Sequence, residues 1–328
     1  MEAKVDSKLR PRLPITAVPQ IEEMDSKYKE LILTLPKDEE KVKYRKYQDF
    51  WYSERHLPGI LAMQEVFKPR SSDVILASFP KSGTTWLKAL TFTIMHRDKY
   101  SFSDHPLVEL NPHDCVPFIE NHYASRDEHY LETLPSPRVL ATHLAYSTLP
   151  ESIVTSTCPI VYICREPKDV LVSFWHMLTK YEWLKEPSSF AQTFESFCEG
   201  RVHGSPVWEH VLEYYTKSLC NPEKILILKY EQMLECPIDG VMRLANFIGC
   251  PFSVDELKNG LVEKIIEFCS FDKLKDLDVN KNEIGNLENS YFFRKATVGD
   301  WKNYMTPVMA NKLDKITEEK LRGFSFTF

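Results

Sequence analysis

Glycine is scarce: ten residues in a chain of 328. That excludes collagen-like and glycine-rich low-complexity proteins, and it gives weight to any glycine standing beside reactive side chains. The eight cysteines include no C-x-x-C pair and no metal-ligand spacing, which argues against zinc-ribbon and thioredoxin-type motifs. They are expected to be structural thiols in a reducing compartment. Residues 1–20 carry charges and prolines but lack the apolar core of a signal peptide. No apolar run approaches the ~20 residues that span a bilayer. A cytoplasmic protein with no membrane partner is the expectation. There is no internal repeat. The net charge of −6 argues against a nucleic-acid partner, so any anion site must be assembled locally.

The composition is that of a globular chain, 43% hydrophobic and 27% charged, long enough to bury a large core. Residues 1–40 are rich in charge and proline and predict a mobile tail containing a short helix near Met24–Leu33; residues 41–328 read as one domain. Four short apolar runs, "DVILASF" (73–79), "RVLATHL" (138–144), "PIVYICR" (159–165) and "KILILKY" (224–230), predict strands buried on both faces. Helical patterns follow them in "TTWLKALTFTIMH", "PKDVLVSFWHMLTK" and "SPVWEHVLEYYTKSL". Ser253 with Glu256 forms a capping-box pattern before "LKNGLVEKIIEF", and Thr306–Pro307 opens a last helix. Strands alternating with helices predict an α/β fold, a single domain with a central parallel sheet flanked by helices. Ligands of such sheets bind beyond the carboxyl ends of the strands, which selects Pro80 onward, His143, Arg165 and Tyr230.

The first of those places reads "SFPKSGTTW" (78–86). A Walker A loop puts its glycines first and its lysine last; here Lys81 leads and one glycine follows. A strand ending at Pro80 and a helix starting at Thr84 or Thr85 deliver free backbone N–H groups and a positive helix end to one point. Gly83 permits close approach, Ser82, Thr84 and Thr85 offer hydroxyls, and Lys81 offers a mobile cation. The residues alone support either a site for an anion with several oxygens or a tight turn with hydroxyl caps.

"FPKSGTTWLKAL" (79–90) resembles the 5′-phosphosulfate loop of the cytosolic sulfotransferases, especially the plant-type members, and the likeness runs from "LILTLPKDE" (31–39) to "FFRKATVGDWKNY" (292–304). The resemblance implies a P-loop nucleotide-kinase-like domain, 3′-phosphoadenosine 5′-phosphosulfate (PAPS) as donor, no metal, and a hydroxyl or amine as acceptor. It assigns Lys81 to the bridging oxygen on which charge grows as the sulfuryl bond breaks. Ser82, Gly83, Thr84 and Thr85 go to the 5′-phosphate and Trp86 to the adenine. In "YICREPKDVLVSFWH" (162–176), Arg165 and Ser173 match 3′-phosphate ligands; a planar guanidinium suits a terminal phosphate. Arg294 and Lys295 match a basic pair closing on the same phosphate, followed by Ala296 where the family pattern is R-K-G. If that position needs positive φ, alanine is strained there by about 1 kcal/mol or more. Tyr230 matches an adenine neighbour, and Ser270 and Phe271 are weaker adenine-side candidates.

For the base, His143 in "ATHLAYSTLP" (141–150) keeps the family's T-H pair at a strand end, and His113 in "NPHDCVPFIE" (111–120) is the second candidate. Ala141 stands where many animal members have lysine. The acceptor is expected to be a small hydroxylated metabolite of flavonoid, steroid, jasmonate or desulfoglucosinolate type, its pocket drawing on Phe118, Tyr146 and residues 175–183. A kinase-like ATP-dependent phosphotransferase and a non-catalytic nucleotide-binding protein are the competing readings. The family's dimer motif K-x-x-x-T-V-x-x-x-E survives here only as Lys302 and Thr306, with Pro307 and Asn311 at the other places. A monomer or weak dimer is expected.

Overall fold

A computed structural model describes residues 9–11, 26–38, 43–180, 189–281 and 289–328. A hairpin of β1 (Tyr44–Tyr47) and β2 (Phe50–Ser53) comes first. All four expected strands then form: β3 (Val74–Ser78), β4 (Val139–Thr142), β5 (Ile160–Cys164) and β6 (Ile225–Lys229). The large sheet runs in the order β4-β3-β5-β6, all neighbours parallel. Every residue of β3, β4 and β5 is buried, as both-face coverage by helices requires.

The register decides where a ligand can sit. Ala77 pairs with Thr142, Ser78 with Ile163, and Cys164 with Lys229. The strands therefore finish level, and Pro80, His143, Arg165 and Tyr230 emerge along one edge. At the opposite edge Arg138 and Asp73, both buried, close a two-pronged ion pair (3.0 and 2.6 Å) that fixes the strand starts.

The helices at Thr84–His96, Pro167–Lys180 and Val207–Cys220 match their sequence patterns. Val207, Val211 and Tyr214 are buried on one face of the last, with Tyr215 partly so. Ser253 and Glu256 make the expected reciprocal cap and Thr306 caps Pro307–Leu321. The stretch after Ser253 is two helices, Val254–Lys258 and Leu261–Phe268, because Gly260 adopts φ +65 between them. The tail contributes a helix at Ser26–Thr34. Arg10 lies over the Tyr130 ring, 4.4 Å from its centre, and pairs with Asp127; the rest of the expected tail lies outside the described residues.

The hairpin has no counterpart among the expected elements. Its turn residues Gln48 and Asp49 both have positive φ (48 and 68), the geometry of a two-residue hairpin turn, without the glycine that ordinarily announces one. Trp51 donates to the Ser205 carbonyl (3.0 Å) and accepts from Gly204 N–H (2.7 Å), which seats the hairpin beside the carboxyl edge of the sheet.

Candidate active site

One cavity of about 460 Å³ opens at that edge. The loop from β3 enters it with two left-handed residues, Lys81 (φ +71) and Gly83 (φ +107), in three positions. Left-handed residues in such a coil are a feature of anion nests, although the middle N–H, that of Ser82, is here spent within the loop. Gly83 is required on two counts. A Cβ there would lie 2.6 Å from Tyr230 Cδ2, and its φ strains any L side chain. Lys81, Gly83, Thr84, Thr85 and Trp86 all line the cavity. Ser82 differs from expectation: its N–H bends back to the Phe79 carbonyl (3.3 Å) and the residue is 1% exposed. The residue is not among those lining the cavity.

Arg165, Ser173, Tyr230, Arg294, Lys295 and Ala296 converge on the same cavity, with Ser270 and Phe271. Four cations thus meet in one place. Arg165 stacks over the Tyr230 ring (4.5 Å), donates to the Thr297 carbonyl (3.0 Å), and keeps Nε buried with no partner among the described residues. Trp86 meets Tyr230 edge-on at 5.7 Å between centroids. Burial lowers the Lys81 ammonium to about 8, with help from Arg294, Arg165 and Lys180. An orphaned guanidinium N–H and a lysine depressed by burial and by neighbouring cations are what a polyanion relieves, so the residues fit a nucleotide phosphate.

Two acids that sequence reasoning missed hold this half together. Asp169 accepts from Gly299 N (2.7 Å) and Trp301 N (3.0 Å) and sits 3.7 Å from Arg165. Asp300 accepts from Arg294 (2.5 Å), Lys295 (2.9 Å) and Asn303 (2.9 Å). Burial would raise Asp300, but the bonds from Lys295 and Arg294 hold its carboxyl at about 2. A readable signal existed: an acid four residues after Arg165, and another five after Lys295.

Ala296 has φ +53, so the position does demand the left-handed region and alanine stands there strained.

The other half of the cavity is built around His143. Its Nδ1 lies 2.7 Å from the Ser78 carbonyl, which can only accept, so Nδ1 carries the proton and Nε2 keeps its lone pair. No group among the described residues bonds Nε2. Burial lowers the imidazole to about 3, against the pull of the Ser78 bond; it is neutral. The backbone N–H of His143 donates to Glu120 Oε1 (2.7 Å). Phe118 bridges to Ala141 alongside β4, which carries Glu120 next to the T-H pair. Glu120 is also a missed residue. It is buried, burial raises its carboxyl, and Oε2 has no partner among the described residues.

Phe118, expected in the acceptor pocket, lines the cavity with its ring tilted against His143, 4.5 Å between centroids. The hairpin adds Tyr44, Ser53, Arg55 and His56 to the wall, with His203 from the loop it grips. Burial lowers His56 to about 4 and His203 well below its ordinary value, so these rings are neutral too. Phe174, Met177 and Leu178 supply the apolar wall. Tyr146 corrects an expectation: it packs edge-on against Tyr214 and lines a separate shallow cleft with Glu213 and Lys217. Trp175 faces Phe190 and Tyr304 instead, and residues 181–183 lie outside the described residues. His113 lies on the wall, but both its ring nitrogens are engaged by Thr85 and Lys88.

Residues 71–325 match the sulfotransferase domain family. A flavonol sulfotransferase-like protein of Flaveria bidentis is 47% identical over 303 residues, 90% of this chain and 97% of its own. The crystal structure of a candidate steroid sulphotransferase of Arabidopsis thaliana aligns with TM-score 0.74 at 36% identity, covering 91% of this chain and 94% of that one. A mouse sulfotransferase solved with PAP aligns with TM-score 0.67 at 26% identity, covering 86% and 95%.

Proposed function

The chain belongs to the sulfotransferase domain family and is an enzyme that transfers sulfuryl groups; from that premise we propose that PAPS is its donor and a small hydroxylated metabolite its acceptor. The observation that carries this reading is the division of one cavity into an end where Lys81, Arg165, Arg294 and Lys295 gather and an end of neutral histidines and apolar walls, with Arg55 its one cation among the described residues, meeting between Lys81 and His143. The donor, when bound, supplies a sulfuryl group on a phosphate that can leave with its charge.

In this reading Arg165, Ser173, Arg294, Lys295 and the Ala296 backbone hold the 3′-phosphate, and Trp86 and Tyr230 flank the base. Gly83, Thr84 and Thr85 hold the 5′-phosphate by N–H and hydroxyl groups at a helix start. Ser82 is absent from the cavity lining and is given no role in this reading. Lys81 places its ammonium where the leaving phosphate gains charge, an interaction strongest in the transition state. His143 Nε2 takes the acceptor's proton; the bond to Ser78 leaves the lone pair on that nitrogen, and the negative charge of the bound donor would offset the burial that lowers the free ring to about 3. The growing imidazolium is stabilised by the anion bound opposite.

The neutral rings and apolar wall suit a largely uncharged acceptor with a hydroxyl. Flavonoid and steroid types are supported by the names of the relatives; jasmonate and desulfoglucosinolate types belong to the same size class. Among the described residues no helix is long and apolar enough to cross a membrane, and we place the enzyme in the cytoplasm, without metal, as a monomer or weak dimer.

The test is thermal stabilisation by 3′,5′-diphosphoadenosine against ATP. The diphosphate should stabilise the protein without magnesium; preferential, magnesium-dependent stabilisation by ATP would sink the reading. His143→Ala should bind the nucleotide normally yet lose transfer by about 10²–10⁴-fold. Full activity in that variant would remove His143 as the base.

A further inference from the structure

Behind the phosphate loop lies a hydrogen-bonded chain that the reaction as described does not use. Lys88 is fully buried, one helical turn from Thr85, so the two side chains share a face. His113 lies between them. Its Nδ1 is 3.0 Å from Lys88 Nζ and its Nε2 is 2.9 Å from Thr85 Oγ1. We infer that Lys88 and His113 are positioning residues that fix the direction of the Thr85 hydroxyl, committing its proton to the 5′-phosphate. This rests on the nucleotide reading above.

The direction follows from donor and acceptor counts. A lysine ammonium has only donors, so Nδ1 of His113 must accept. The neutral imidazole then carries its proton on Nε2 and donates to Thr85 Oγ1. A threonine hydroxyl has one proton. With its oxygen already accepting from His113, that proton is directed elsewhere, and Thr85 lines the cavity at the helix start. A helical threonine ordinarily spends its proton on a carbonyl one turn back; here the oxygen is held by the ring instead.

The frame of the chain is rigid. Lys88 Nζ lies over the Phe118 face, 3.3 Å from the ring centre, the geometry in which an aromatic face favours an ammonium. The His113 ring lies between Phe118 and Phe292, with centroids 5.4 and 4.1 Å away. Its backbone N–H donates to Asn111 Oδ1 (2.9 Å), and Asn111 is anchored to Asn280 (2.8 Å). The same arrangement removes His113 as a base, because the one lone pair of its ring is taken by Lys88.

Two measurements on the full chain test this. The first needs no nucleotide. In protein labelled with ¹⁵N-histidine, two-bond ¹H–¹⁵N correlations report the tautomer, and His113→Gln identifies the signal that is lost. The expected pattern is a neutral ring protonated at Nε2 between pH 6 and 8. An Nδ1–H tautomer or an imidazolium overturns the inference. The second is a double-mutant cycle read as Kd for 3′,5′-diphosphoadenosine. Thr85→Val should raise Kd about tenfold or more, as a lost bond to a charged group does. His113→Gln and Lys88→Met should each raise Kd about fivefold, but less than about twofold in the Thr85→Val background. Effects that multiply in that background overturn the chain. Wild-type protein that binds no diphosphoadenosine overturns the nucleotide reading and this role with it; binding with the wrong tautomer overturns the chain alone.

Discussion

The sharpest consequence of the cavity's electrostatics concerns Lys81. Its ammonium is lowered to about 8 by burial and by Arg294, Arg165 and Lys180. With that value the charged fraction falls from about nine-tenths at pH 7 to about one-tenth at pH 9. A unit charge ~4 Å from a phosphate oxygen is worth ~4 kcal/mol at an effective dielectric of ~20, so the uncharged form contributes little to binding. The nucleotide's own charge raises the lysine in the complex, and linkage then requires affinity to decline above the free-protein value. The expected result is a Kd for 3′,5′-diphosphoadenosine that is flat from pH 6.5 to 7.5 and rises about tenfold by pH 9. Burial raises Tyr230 and pushes Cys269 up to about 12, which takes both out of this range. Isothermal calorimetry across the range provides the curve. Lys81→Arg should abolish the rise, since a guanidinium stays charged. A wild-type curve that is level to pH 9, or a rise that persists in Lys81→Arg, would refute the reasoning.

Two further changes probe the loop backbones. Gly83→Ala brings a Cβ to 2.6 Å from the Tyr230 ring at φ +107; a stability loss of about 1–2 kcal/mol and at least about tenfold weaker nucleotide binding are expected, and a stable, tightly binding variant would show that the close approach is not required. Ala296→Gly should gain about 0.5–1 kcal/mol in urea unfolding by relieving the φ of +53; an unchanged or lowered midpoint would show that the position is unstrained.

The sheet was legible because each strand is a short apolar run with a helix signal behind it, and parallel strands buried on both faces leave no other pattern. The carboxyl-edge rule selects Pro80 onward, His143, Arg165 and Tyr230 from residue order alone, and Lys81, His143, Arg165 and Tyr230 all line the cavity. What escaped was held by backbone geometry or by partners distant in the chain. The β1–β2 hairpin turns on Gln48 and Asp49, which carry no glycine signal, so the wall containing Ser53, Arg55 and His56 went unseen. Ser82 looks equivalent to its neighbours in sequence, yet it sits between two left-handed residues and turns inward. Tyr146 follows the T-H pair closely, but the 3-10 turn at Tyr146–Thr148 directs it onto Tyr214. Glu120 gains its place only when the Phe118 bridge lays that segment beside β4, a contact that spacing along the chain does not encode.

The placement of the acids explains why the two ends of the cationic half behave differently. Asp169 and Asp300 tie Gly299, Trp301, Arg294 and Lys295 to one another and to the helix Pro167–Lys180. The basic pair that would meet the 3′-phosphate is therefore half-neutralised and held in shape, with Asp300 kept at about 2. Lys81 has no such acid, and no group among the described residues accepts a hydrogen bond from its ammonium. Burial lowers it first, and the repulsion of Arg294 and Arg165 adds to that. An anion binding across both ends gains less where charge is already balanced and more where it is not. The unrelieved charge is thus concentrated beside His143, where the proposed reading puts the leaving phosphate, and in that reading the acids at the far end would position the nucleotide without drawing that charge away.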